Sequence, residues 1–235
     1  MLVAAAVCPC PPLLVPEVAA GAAAELDAAR AACTDALGVL AAARPDLLVV
    51  VGPAEQSERG PYPQGARGTF SGFGVDADAR LGTGEPGERE LPVSLAVGAW
   101  LLERTAWADA PVEGLAVAPT LEPERCAETG RELAGRAARV ALLVMGDASA
   151  CRTLKAPGYL DDRAAPFDAE AARALGAADL AALKALDPAL ARELKAAGRA
   201  PWQILAGAAE NAALTGTLLY EDAPYGVGYL VAAWS

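Results

Sequence analysis

Histidine is absent from the sequence. Because imidazole is the commonest metal ligand and the usual general base near neutral pH, any metal or acid–base chemistry must rest on other groups. Aromatic residues are scarce, at 5% of 235 residues, although the hydrophobic fraction is 54%. That surplus is carried mainly by Ala, Leu and Val, which predicts a core of small side chains at close helix-to-sheet contacts. Positive charge is also short. Lys and Arg number 19 against 30 Asp and Glu, giving a net charge of -11, and the isoelectric point is about 4.5. This balance opposes phosphate backbones and anionic membrane surfaces, so neither a nucleic-acid nor a membrane partner is expected.

Long apolar runs are missing as well. The opening residues 1–7 carry no basic leader and stop at Cys8-Pro9, far short of the roughly 20 apolar residues of a membrane helix. Neither an export signal nor a span is predicted, and a cytoplasmic location is expected. The five cysteines, Cys8, Cys10, Cys33, Cys126 and Cys151, form neither an even nor a dense set. They exclude a secreted disulfide framework and predict reduced thiols.

What is present is an alternation of strands and helices. Residues 2–7 read as a buried strand ended by Cys8-Pro9-Cys10-Pro11-Pro12, where successive prolines remove ladder donors. Residues 19–43 have helical spacing up to Arg44-Pro45, and 47–51 form an apolar strand covered on both faces. Residues 52–68 read as a loop and 69–76 as a strand by their alternation, with a surface loop at 82–90. A helix is predicted from Pro92 to about Ala106, a short strand over 115–118, a helix over 122–138 and a third buried strand over 140–145. A polar connection, 146–167, precedes helical segments 168–194 and 201–213, and segments 217–220 and 225–234 flank a turn as a terminal hairpin.

This order predicts one α/β domain over residues 1–235, a mostly parallel doubly wound sheet flanked by helices and closed by a C-terminal hairpin. Ligands of such sheets bind beyond the carboxyl ends of the strands. Three loops occupy that edge: 8–17, 52–56 and 146–155.

The opening Val7-Cys8-Pro9-Cys10-Pro11-Pro12-Leu13-Leu14-Val15-Pro16-Glu17 resembles the His-Pro-Pro-Leu-Leu-x-Pro-Glu start found in the class III extradiol ring-cleavage dioxygenase superfamily, which includes Memo-like proteins. The resemblance continues through Val49-Val50-Val51-Gly52-Pro53, Val144-Met145-Gly146-Asp147-Ala148-Ser149 and Ala223-Pro224-Tyr225-Gly226-Val227-Gly228-Tyr229, thus over nearly the whole chain. Gly68-Thr69-Phe70-Ser71-Gly72-Phe73-Gly74-Val75 and Ala156-Pro157-Gly158-Tyr159 are similar to an uncharacterised actinobacterial branch. The resemblance implies iron(II) held by two histidines and a carboxylate, with a further histidine moving protons. Here Cys10 stands at the first ligand position, the second falls on Ala54, Glu55 or Gln56, the proton-moving histidine matches Ala150, and the cysteine ligand of Memo-like proteins matches Ala197 before Gly198-Arg199-Ala200-Pro201. Loss of the open site and of ring cleavage is the expectation, with no cofactor.

The expected ligand pocket is built from Cys8, Cys10, Glu55, Gln56, Asp147, Ser149, Arg152 and Tyr225, taking a small molecule or a protein partner, a second copy of the chain included. Alternatives stand beside this. Cys8, Cys10 and Cys151 could form a thiolate site for zinc or copper(I), or Cys10 or Cys151 could act as a nucleophile, with Arg152 and Lys155 lowering the pKa of Cys151. The plainer readings are inert buried thiols, Arg152 and Lys155 solvated or paired with Asp161 and Asp162, and Asp147 and Ser149 as caps.

Overall fold

The apolar runs become strands wherever they are continuous and β-branched. The computed structural model describes residues 1–235. Four strands form the parallel centre: β1 (Leu2–Cys8), β2 (Leu47–Pro53), β6 (Val112–Val117) and β7 (Val140–Met145). The short β3 (Gly60–Tyr62) closes one edge antiparallel to β6. The hairpin β8 (Gly216–Asp222) and β9 (Tyr229–Trp234) closes the other, antiparallel to β1. The seven strands lie in the order β3-β6-β2-β7-β1-β9-β8, and β4 (Arg67–Thr69) and β5 (Asp78–Arg80) pair separately.

Strand alternation divides the interior into two cores. Ala4, Ala6 and Cys8 of β1 and Leu143 and Met145 of β7 face the core covered by α2 (Asp27–Ala42) and α3 (Val93–Arg104). Ala5 and Val7, with Leu142 and Val144, face the other core. That core is covered by α4 (Pro123–Ala134), α5 (Ala164–Gly176), α6 (Leu180–Lys184), α7 (Pro188–Glu193) and α8 (Arg199–Ala208). Small side chains let the layers approach closely: a Cβ on Gly130 of α4 would lie 2.1 Å from the Ile204 carbonyl oxygen of α8.

Several boundaries differ from the sequence expectation, each for a local reason. The segment 69–76 is not a strand; β4 ends at Thr69, a 3-10 turn spans Ser71–Phe73, and Gly74 takes a left-handed φ of 81° that turns the chain into β5. The stretch 19–43 is split. The short α1 (Pro16–Ala19) and a 3-10 segment Ala20–Leu26 precede α2, with Ala20 at φ 48° and no side-chain cap to start a regular helix. The region 168–194 is three helices, because the Asp179 and Asp187 carboxylates accept the amides of Ala182 and Ala189 and each starts a new one. The loop 52–68 contains β3, the short strand begins earlier at Val112, and β9 begins only at Tyr229.

Candidate functional site

A crevice arises where β1 and β7 lie side by side, because β1 leads to α2 on one face of the sheet and β7 leads to α5 on the other. The Cys10 amide donates to Asp147 Oδ1 at 2.8 Å across this crevice, and the Gly146 amide donates to the Cys8 carbonyl at 3.0 Å. The loop before α8 closes on the same point. The Gly198 amide donates to the Asp147 carbonyl at 2.8 Å, and a Cβ on Gly146 would stand 2.4 Å from Gly198 Cα. Cys10, Asp147 and the 197–198 peptide, drawn from three distant parts of the chain, therefore converge.

The electrostatics of this group follow from burial. Desolvation lifts the Asp147 carboxyl to about 7, against the opposing bond from the Cys10 amide. Burial, and then the Asp147 charge, push the Cys10 thiol up. The Cys8 thiol is raised first by its hydrogen bond with Cys33 and then by burial. Tyr229 is raised by burial and next by Asp147.

Cys151 lies elsewhere. It faces the core under α5 to α8, whereas Cys8 and Cys10 belong to the opposite core. Its Sγ donates to the Leu194 carbonyl at 3.4 Å, and burial raises its pKa. The three thiols of the alternative zinc or copper reading thus lie in opposite cores, and no three Cys, Asp or Glu side chains stand together as a metal-holding group. Glu55 and Gln56 are exposed and do not join the Cys10–Asp147 contact.

A second group is organised by a carboxylate that no motif marks. Asp168, with 1% of its side chain exposed, accepts the Ser149 amide and hydroxyl at 2.8 Å each and Arg152 Nη1 at 3.0 Å. Burial raises its pKa, and the bonds from Ser149 and Arg152 oppose this. Arg152 therefore pairs with neither Asp161 nor Asp162; Arg163 takes Asp161 at 2.6 Å, and Lys155 stands in no ion pair. The sequence does not single out Asp168, since Glu170 stands two residues on within Phe167 to Ala172; only its burial, costly unless the carboxylate is bonded, sets it apart.

Arg152 and Lys155 line an open cleft of about 700 Å³ with Leu154, Leu160, Pro224 and Tyr225. The Tyr225 hydroxyl donates to Glu25 Oε2 at 2.9 Å, which fixes the ring at the cleft wall. Of the expected pocket residues, the structure brings Cys10 to Asp147, Ser149 to Arg152 through Asp168, and Arg152 to Tyr225 across the cleft.

No helix is long and apolar enough to cross a membrane. No family model matches the chain, and no curated protein does. Among solved structures the chain is similar to the uncharacterized protein JW3007 from Escherichia coli K12, with a TM-score of 0.57 and 14% identity over 99% of both chains. That likeness concerns the fold.

Proposed function

We propose that this chain is a binding protein on a scaffold like that of the class III extradiol dioxygenases, without ring-cleavage chemistry. The observation that carries the reading is the Cys10–Asp147 contact. At the place where the resemblance calls for a ligand imidazole, a buried thiol held in its neutral form lies beside a carboxylate whose pKa is near 7. Iron(II) in such a site needs an open facial set of three ligands, and this crevice presents one thiol beside one carboxylate, with no imidazole anywhere in the chain. Ala150 and Ala197 add only methyl groups at two other matched positions, and at the second ligand position Ala54 adds another methyl while Glu55 and Gln56 are exposed. The donor set does not fit the metal.

The same burial argues against cysteine catalysis. With no histidine to act as base and burial raising the thiols of Cys10 and Cys151, neither is poised as a thiolate. What the carboxyl edge retains is a cleft with two cations and apolar walls, the equipment of recognition. Metal analysis of protein purified without a histidine tag, followed by a catechol ring-opening assay with added ferrous iron, tests the reading. Substoichiometric metal and no ring-opened product are expected. Stoichiometric iron, zinc or copper, or a ring-opened product, would overturn it.

A further inference from the structure

We propose that the cleft between the 152–160 loop and the 223–226 turn binds a small organic anion with an apolar body, a deepening that rests on the binding-protein reading above. The two walls are held together closely. Gly226, at φ 76°, approaches so near that a Cβ there would meet Thr153 Oγ1 and the Ala156 Cβ at 2.6 Å. The cleft volume of about 700 Å³ falls within the size range of small-molecule sites.

Charge selects the ligand's head. In a chain of net charge -11, an anion meets general repulsion and is drawn only where cations are concentrated. Arg152 is anchored through Nη1 to the buried Asp168, which fixes the guanidinium at the cleft, and the exposed Lys155 has no carboxylate partner. The amides of Thr153, Leu154 and Lys155 also find no acceptor within the protein. These donors sit on one short loop, as an anionic headgroup requires.

Apolar surface selects the body. Leu154 and Leu160 expose 62% and 43% of their area beside the two cations. Two leucines left this exposed on the wall of one cleft are an arrangement that folding alone does not favour. A neutral apolar ligand would leave the cations unused, and a compact inorganic anion would leave the leucines exposed.

Titration calorimetry of the full chain with 1-anilinonaphthalene-8-sulfonate and with neutral N-phenyl-1-naphthylamine separates the two contributions. One sulfonate per chain is expected, bound at least about tenfold more tightly than the neutral probe, since a charged contact in a partly desolvated cleft is worth a decade in affinity. K155E, at an exposed position outside any ion pair, should weaken the sulfonate by about tenfold and leave the neutral probe nearly unchanged. The companion variant L160S should weaken both. Equal affinity for the two probes, several sulfonates per chain, or indifference of the sulfonate to K155E would overturn the proposal. Ring-opening activity in the same preparation would overturn the binding-protein reading alone, because the Cys10–Asp147 crevice and this cleft do not share their lining.

Discussion

Asp168 shows how much can rest on one side chain. It is a buried acid that satisfies the Ser149 amide, the Ser149 hydroxyl and Arg152 at once, and Gly228 is the neighbour that admits it, since a Cβ there would stand 2.6 Å from Asp168 Oδ2. Replacing it by Ala orphans two buried donors and leaves a guanidinium without its partner. Breaking a buried pair costs about 3–5 kcal/mol, and because Arg152 keeps 30% of its side chain exposed the lower end applies, about 3 kcal/mol in a urea unfolding titration of Asp168→Ala. Asp147 makes a different contribution, visible as pH dependence. Burial holds its proton up to about pH 7 in the folded chain, against an ordinary value of 3.8. Between those values the folded state binds more protons than the unfolded one, so this contribution is complete at low pH and is lost as pH rises toward 7. Asp147→Asn keeps the acceptor for the Cys10 amide and removes the titration. Its urea midpoint should gain on the wild type between pH 4 and 7 and hold level above, and an offset that stays constant across the range would sink the assignment.

Between the residue and the fold, the elements are governed by how closely backbones approach. Gly130 of α4 faces the backbone of α8 at Ile204 and Ala208, and Gly207 of α8 faces the Ala127 carbonyl in return. Alanine has the better helix propensity by about 1 kcal/mol. At Gly130, however, its methyl would press on a carbonyl oxygen that cannot rotate away, and overpacking of this kind costs about 1–3 kcal/mol. The clash should win, so Gly130→Ala is expected to melt lower. Gly38, exposed within α2 with open space where a Cβ would stand, isolates the propensity effect, and Gly38→Ala should melt higher by about 2–4 °C per kcal/mol gained. The same contrast explains what could be read in advance. The strand Val140–Met145 is found at its expected bounds because both its faces are buried and every residue is apolar. The 69–76 segment alternates as a strand would, yet Gly72 and Gly74 turn it away from β4, and alternation alone carries no information about which glycine adopts φ 81°. Likewise the helical spacing of 168–194 conceals two breaks, since the capping acids Asp179 and Asp187 look like ordinary surface residues until their carboxylates turn back to the chain.

Across the whole molecule, the order of strands decides both what the sequence could reveal of the site and how stability is distributed. The carboxyl edge was legible because alternating strands and helices fix where loops gather, and Cys10 and Asp147 meet at the junction of β1 and β7. The separation of Cys151 from Cys8 and Cys10 was not legible, for it depends on which side of the sheet each loop leaves. The same order places β7 at the centre, flanked by parallel partners β2 and β1 and buried along its length, whereas β8 lies outermost with residues alternately exposed and an irregular register between Leu218 and Tyr220. Opening β7 requires separating both cores, so its amides should exchange with solvent only through global unfolding. The outward amides of β8 and the small β4–β5 pair, which bury far less, should exchange through local opening. Native-state hydrogen exchange followed residue by residue should therefore show protection falling from β7 through β1 and β9 to β8. Protection in β8 equal to that in β7 would mean that the outer edge is covered by another chain, and a second copy pairing along β8 would then be the first arrangement to seek by measuring mass in solution.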